Sequence, residues 1–300
     1  KGEDADLVVF NAEIHILNEG NKIVEAMAIK DGRIIEFGPD RQILNKYAYK
    51  SSIDARGKEI YPGFIDSHGH LLSYAELLLS ADLVGSSSQK DMIERVVNYQ
   101  DVNNKKIVIG RGWDQSLWDD SSFPDNQLLN ESFKDTPVCL YRIDGHSALI
   151  NDAFINLLGE FQVPDGGEVL TRTDGHYSGL FIDAALMLLD PFIPKFPDAA
   201  IKEKLKEIQS ELFSYGVTGV HEAGVDFEEL ELLDQMATTN ELSLNIYAML
   251  SPTQANLDFA KEKGIYRNKN LLVRSFKAYV DGALGSSGAL LKESYHDHPN

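Results

Sequence analysis

The N-terminal part of the chain alternates apolar and polar positions, the pattern of β-strands with one buried face. Strands are predicted over 6–17, 23–30 and 33–37. Asp31-Gly32 separates the last two, and this dipeptide is typical of a two-residue hairpin turn. We therefore expect a small β-sheet at the start of the chain.

After His70 the pattern becomes mixed. Apolar residues at helical spacing follow Ser88, a suitable N-cap, and Asn151 is a second N-cap candidate for a short helix to Leu158. Shorter apolar runs predict strands over 106–110 and 138–141 and a hairpin over 170–181.

The C-terminal third alternates strands and helices regularly. An amphipathic helix through Leu205 ends near Gly216, and five further elements follow: a strand over 217–221, a helix over 226–238, a strand over 242–249, a helix over 252–263 and a strand over 271–280. Alternation of this kind is typical of parallel βαβ units, so we expect an α/β barrel or an open α/β sheet.

Composition narrows the class of protein. A length of 300 residues suits a barrel-sized core or two domains, and a net charge of −19 argues against a nucleic-acid partner. Cys139 is the only cysteine, so an intrachain disulfide and a thiolate zinc cluster are excluded. No apolar run is long enough to span a membrane. We expect a cytoplasmic protein; an exported form stays open, because the sequence starts at Lys1 and a signal segment could have been removed.

The first candidate site is the pair His68 and His70, which follows the short apolar stretch Phe64-Ile65. Side chains two apart on a strand point to the same face, so both imidazoles can reach one metal ion. Two histidines supply half of a tetrahedral zinc site. The alternative is a chance His-x-His in a loop.

Lys277 is the second candidate, because it stands inside an otherwise strand-like segment. A buried ammonium is costly unless it is paired, so a salt bridge with Asp281 or another acid is one explanation. The other is carbamylation, since burial favours the neutral amine that captures carbon dioxide. The presence of His68 and His70 favours the second explanation.

Several motifs together resemble one known family, in their order and spacing along nearly the whole chain. The quoted segments are Ala5–Asn11, Ala28–Ile34, Pro62–His70, Gly112-Trp113-Asp114, Asp144–Ala148, Gly216–Val220 and Lys277 with Asp281–Ser286. The chain resembles the amidohydrolase superfamily, in the amidohydrolase 3 branch that includes N-substituted formamide deformylase-like enzymes.

The resemblance implies an α/β fold: a TIM-like (β/α)8 barrel with a small β-sandwich built from both chain ends. Residues 1–58 would be the N-terminal part of the sandwich, and 59–300 would supply barrel strands 1–4. A large insertion after strand 1 would cover about 73–205. The family's remaining ligands, two histidines from strands 5 and 6 and an aspartate from strand 8, are not in this sequence. We therefore expect the N-terminal portion of a longer polypeptide, and we assign His296 and His298 to a loop.

The same resemblance implies hydrolysis of a non-peptide C–N bond in an amide, formamide or cyclic amide by a metal-activated water. His68 and His70 would bind one divalent ion, zinc by expectation. Carbamylated Lys277 would bridge to a second ion if there is one, and the strand-8 aspartate would be the general base. Asp66 is a candidate for orienting a ligand.

Within the insertion, the candidates for contact with a small-molecule substrate are Trp113, Asp114, Asp144 and His146. His221 and Glu222, at the end of a predicted barrel strand, are weaker candidates.

Three alternatives stay open: hydrolysis of another bond on the same scaffold, a catalytically inactive barrel that binds a small molecule, and an α/β protein in which the three metal candidates are unrelated. The sequence leaves the substrate and the number of metal ions undetermined, and a homodimer is one open oligomeric state.

Overall fold

The computed structural model describes residues 2–281 and 289–295. Internal contacts divide the chain into two units. The first runs to Ile65 and includes Gly216–Gly219, and the second contains Asp66–Tyr215 and the chain from Val220 onward. No helix in the described ranges is both long enough and apolar enough to cross a lipid bilayer.

The first unit contains a five-stranded sheet with one short helix. Its elements are β1 (Glu3–His15), β2 (Ile23–Val24), β3 (Ala26–Lys30), β4 (Arg33–Gly38), α1 (Asp40–Lys46) and β5 (Tyr47–Ile60). β1 pairs antiparallel with β2 and β3 and parallel with β5. Asp31 and Gly32, with φ of 51° and 72°, form the predicted turn between β3 and β4. Ala5 and Val8 of β1 are buried in one apolar cluster with Ile43 of α1.

The next elements carry the histidine pair and lead into a second sheet. These elements are β6 (Phe64–Gly69), α2 (Leu71–Leu78), β7 (Ala81–Asp82), α3 (Gln89–Asn103), β8 (Val108–Trp113), α4 (Gln127–Ser132), β9 (Val138–Arg142), β10 (Ser147–Ile150), α5 (Asp152–Leu158), β11 (Gly167–Thr171) and β12 (Tyr177–Asp183). The second sheet has six strands in the order β11-β12-β10-β9-β8-β7. The predicted hairpin is the antiparallel pair β11–β12. Both predicted N-caps are confirmed, because Ser88 accepts a hydrogen bond from the amide of Asp91 and Asn151 accepts one from Phe154.

The C-terminal elements confirm the predicted strand and helix alternation. They are α6 (Asp198–Ser214), β13 (Val217–Val225), α7 (Phe227–Thr238), β14 (Asn245–Leu250), α8 (Gln254–Lys263), β15 (Tyr266–Asn268) and β16 (Leu271–Phe276). β14 and β16 are parallel and α8 connects them, so this part is a βαβ unit. The third sheet has the order β15-β16-β14-β13-β6. Within the described residues, its five strands do not close into a barrel.

Some strands differ from the prediction in their bounds, and some short strands are additional. The strand predicted over 271–280 ends at Phe276, because its last paired residue faces Leu250, where β14 also ends. Lys277 therefore lies just after the strand. The strand predicted over 106–110 extends to Trp113, and β15 was not predicted at all.

Candidate metal centre

The two histidines lie at the end of β6 with their rings on the same side of the strand. The ring centroids of His68 and His70 are 5.3 Å apart, and the ring planes meet at 72°. Both side chains are exposed. Gly69 between them packs closely on β13, since a Cβ atom at this position would stand 2.7 Å from Cγ1 of Val220. A residue without a side chain therefore lets this end of β6 approach its neighbour.

The electrostatic surroundings of His70 favour its neutral form. Although the side chain is largely exposed, its partial burial lowers the pKa of His70 below the ordinary value of 6.5, and the positive charges of His68 and Lys277 lower it further. A hydrogen bond with the main chain of Ala223 acts in the opposite direction and is outweighed. The neutral imidazole is the form that binds a metal ion.

Lys277 approaches the same place from the end of β16. Its amide donates to the carbonyl of Leu250 at 2.8 Å, and its half-buried side chain passes over Gly224 at the end of β13. Nζ lies 5.2 Å from the centroid of the Tyr279 ring. Asp281, the predicted salt-bridge partner, instead accepts a hydrogen bond from the amide of Leu290 at 3.0 Å. In the described part of the chain, no ion pair with Lys277 is present.

These residues fit part of a metal centre and not a complete one. The described residues contain no group of three His, Cys, Asp or Glu side chains that could hold an ion. They do supply two imidazoles whose ring centroids are 5.3 Å apart, and burial together with the charges of His68 and Lys277 lowers the pKa of His70. That donor set supplies two of the four ligands of a tetrahedral site. His296, His298 and the motif residues 282–286 lie outside the described residues.

Glu222, which the sequence gives only as a weaker candidate, is a buried carboxylate beside this pair. It is 4% exposed and accepts hydrogen bonds from the amides of Leu71 at 2.5 Å and Leu72 at 3.1 Å. Burial raises its pKa to about 7, against the lowering effect of those two bonds. The sequence gives little sign of this contact, because 150 residues separate Glu222 from Leu72.

The two remaining weak candidates have local partners. Oδ1 of Asp66 accepts the amide hydrogen of His68 at 3.0 Å, so Asp66 contacts the main chain of this residue. The ring of His221 packs on Tyr247 with centroids 4.8 Å apart. The hydroxyl of Tyr247 donates in turn to Ser275 at 3.0 Å. His221 therefore belongs to a packed layer between β13, β14 and β16.

The four predicted substrate contacts belong to the six-stranded sheet. Trp113 is fully buried in its core, and its indole N–H donates to the carbonyl of Leu140 at 2.6 Å, so we propose no substrate contact for it. Asp114 and Asp144 both pair with Arg142, the first at 2.8 Å. Arg142 went unnoticed in the sequence, although an arginine at the end of a wholly apolar strand signals a paired charge.

His146 has a carboxylate partner that the sequence analysis did not identify. Its Nδ1 lies 2.9 Å from Oδ1 of Asp183. Asp183 has φ of 50° and ψ of −121°, a conformation that non-glycine residues rarely adopt. Such backbone strain often accompanies functional sites.

Comparison with known proteins identifies the family. Residues 52–299 match the model of the family described as "Amidohydrolase family". The chain belongs to the amidohydrolase family. The match includes β6, β13 and β16, and so it covers His68, His70 and Lys277.

Three similar proteins show how much of a related chain this one covers. Protein LONG AFTER FAR-RED 3 of Arabidopsis thaliana is 28% identical over 99% of this chain and 54% of its own length. N-substituted formamide deformylase of Arthrobacter pascens is 27% identical over 76% of this chain and 44% of its own length. The crystal structure of an uncharacterized metal-dependent hydrolase from Pyrococcus horikoshii aligns with a TM-score of 0.73 and 26% identity, over 98% of this chain and 58% of that one. This amidohydrolase chain thus spans about half the length of the relatives it matches.

Proposed function

We propose that this amidohydrolase chain carries one part of the metal centre of a hydrolase that cleaves a non-peptide C–N bond in a small amide, formamide or cyclic amide. The observation that supports this most directly is the pair of imidazoles of His68 and His70, whose ring centroids are 5.3 Å apart, with the charge of Lys277 acting on His70. The name of the Arthrobacter pascens relative, a formamide deformylase, supports the choice of bond.

In this proposal His68 and His70 hold a divalent ion, with zinc as the expected metal and one or two ions in all. When bound, such an ion polarises a carbonyl group and lowers the pKa of water toward neutrality. Lys277 in its neutral form attacks carbon dioxide through Nζ. A C–N bond forms while one C=O π bond of carbon dioxide breaks, and one proton passes from the nitrogen to solvent water. The product is a carbamate, whose oxygens would be available to hold the ion.

The polar groups of the six-stranded sheet are the proposed contacts to substrate. Arg142 holds Asp114 and Asp144 in fixed positions, and Asp183 holds His146. Burial would raise the pKa of Asp114, but hydrogen bonds from Ser116 and the charge of Arg142 outweigh it and keep the pKa low. Asp114 is therefore a carboxylate at neutral pH, suited to accept hydrogen bonds from a polar substrate.

Hydrolysis assays test the proposal. The complete protein, supplied with zinc and bicarbonate, is expected to hydrolyse at least one member of a panel of N-substituted formamides, simple amides and cyclic amides. His70→Ala should lower the rate by about 100-fold or more, because the metal is lost. His176→Ala is the control, because His176 is an exposed residue beside the hairpin turn of β11 and β12. Hydrolysis of phosphoesters alone, or equal activity in His70→Ala, would contradict the proposal.

A further inference from the structure

The junction between β6 and α2 holds His70 at an unusual point of the chain. His70 is the N-cap residue of α2, with φ of −134° and ψ of 67°, and its side chain makes no cap hydrogen bond. The first amides of a helix have no partner within the helix and need an acceptor from elsewhere. The ring of His70 therefore does not cap the helix, and the helix start depends on another residue.

Glu222 of β13 supplies that acceptor. Its two carboxylate oxygens each accept one amide hydrogen, from Leu71 and from Leu72. In the described part of the chain Glu222 has no ion-pair partner, and its side chain is almost completely buried. Burying a carboxylate is costly unless hydrogen bonds compensate it, so this contact fixes the main chain directly after His70.

The next residue of β13 also acts on His70, because the main chain of Ala223 interacts with its imidazole. Histidines that bind a metal are commonly oriented by groups that do not themselves touch the ion. Glu222 and Ala223, adjacent on β13, therefore both act on His70.

We propose that Glu222 is a positioning residue for the metal centre: by fixing the amides of Leu71 and Leu72, it holds His70 in the orientation that binds the ion. This inference rests on the proposed function, since it assigns His70 as a metal ligand. The inference goes beyond the proposed function because it assigns an effect on metal affinity to Glu222 of β13, which is not itself proposed as a ligand.

Glu222→Gln separates the effect of the two hydrogen bonds from the effect of filling the buried space. Glutamine keeps the size of the side chain but has one acceptor oxygen, and its NH2 group would face one of the two amide hydrogens. Glu229→Gln is the matched control. Glu229 also caps a helix in the second unit, because it accepts the amide hydrogen of Asp226 at 2.7 Å in the capping box of α7.

The experiment is competition for zinc between the complete protein and a chelator, with thermal unfolding of the metal-free forms measured beside it. We expect Glu222→Gln to bind zinc about 10- to 100-fold more weakly than the wild type. Glu229→Gln should bind it as the wild type does, although both variants lower the unfolding temperature. If Glu222→Gln does not fold, Glu222→Asp takes its place, with a smaller loss expected.

Unchanged zinc affinity in Glu222→Gln, or an equal loss in Glu229→Gln, would overturn the proposal. Amide hydrogen exchange of the metal-free protein gives a second readout, in which Leu71 and Leu72 should exchange faster in Glu222→Gln. If the wild type binds no zinc, the proposed function fails by itself. Amide hydrogen exchange then tests separately whether Glu222 fixes the main chain after His70. Unchanged exchange rates at Leu71 and Leu72 in Glu222→Gln would reject that contact.

Discussion

At the scale of single residues, the geometry of β-strands determines where His68, His70 and Lys277 lie. The two-residue spacing of His68 and His70 was enough to predict rings on one side of a strand, because strand geometry has a period of two. Lys277 was predicted inside a strand because apolar residues continue to Val280. A strand needs a partner, however, and β14 ends at Leu250. The pattern of apolar residues in one strand does not reveal where the neighbouring strand ends.

The contact of Glu222 also could not be predicted from local sequence patterns. Its carboxylate acts on Leu71 and Leu72 across the second unit, and no local pattern encodes such a contact. The partners of Asp144 and His146 were likewise absent from the prediction. Positions of candidate residues follow from local spacing, whereas their hydrogen-bond partners follow from the tertiary fold.

One residue in the first unit predicts a pH effect. Glu36 accepts hydrogen bonds from Lys46 at 2.5 Å and from Tyr47 and Gln42 at 2.6 Å each. These bonds, with Lys46 first, lower the pKa of Glu36 from 4.5 to about 2, and they raise the pKa of Lys46. Because the folded state lowers the pKa of an acid, the stabilisation is complete above pH 4.5 and is lost as the pH falls to about 2.

Glu36→Gln should therefore be less stable than the wild type at neutral pH, and the difference should shrink as the pH falls from 4.5 to about 2. Unfolding temperatures of both proteins across this range measure it. Glu19→Gln, in an exposed turn, is the control and should track the wild type. A constant difference between Glu36→Gln and wild type at all pH values would show that the ionised Glu36 is not the source of the effect.

At the scale of elements, helix starts were predicted well and short paired strands poorly. The cap residues Ser88 and Asn151 were recognised because their side chains act on amides three residues ahead. β15 is only three residues long, and its position depends on distant contacts such as the hydrogen bond from Tyr266 to Asp234 at 2.7 Å. The sequence pattern also does not predict β10, which has only four residues.

Asn151 makes further hydrogen bonds besides the cap of α5, so its removal should destabilise the protein more than the removal of the cap residue Ser88. Its oxygen accepts the amides of Val138 at 2.9 Å and Phe154 at 3.1 Å, and its nitrogen donates to the carbonyls of Phe133 at 2.7 Å and Thr136 at 2.9 Å. The side chain is fully buried. Removing it leaves buried main-chain groups without partners, each of which costs about 1–3 kcal/mol.

Asn151→Ala is expected to lower the free energy of unfolding by more than about 3 kcal/mol, because several buried groups lose their partners at once. Ser88→Ala removes a single cap bond and should cost about 1 kcal/mol. Urea unfolding of both variants measures the two values. Equal losses would mean that Asn151 acts as a cap only and that its other three bonds add nothing.

At the scale of the whole molecule, the alternating C-terminal elements predicted a βαβ arrangement, and β14, α8 and β16 confirm it. The six-stranded sheet was not predicted as a unit, because its strands come from separated parts of the chain and only their pairing makes them one sheet. The barrel stays an expectation of the family, since the described residues form an open sheet of five strands. The placement of Gly216–Gly219 in the first unit likewise arises from long-range contacts.

The central claim is that His68, His70 and Lys277 belong to one metal centre, and metal content tests it most directly. Elemental mass spectrometry of the complete protein, purified after supply of zinc and bicarbonate, should find at least about one divalent ion per chain. His68→Ala, His70→Ala and Lys277→Ala should each lose most of it, while His176→Ala should keep it. No bound metal in the wild type, or an equal loss in His176→Ala, would contradict the account.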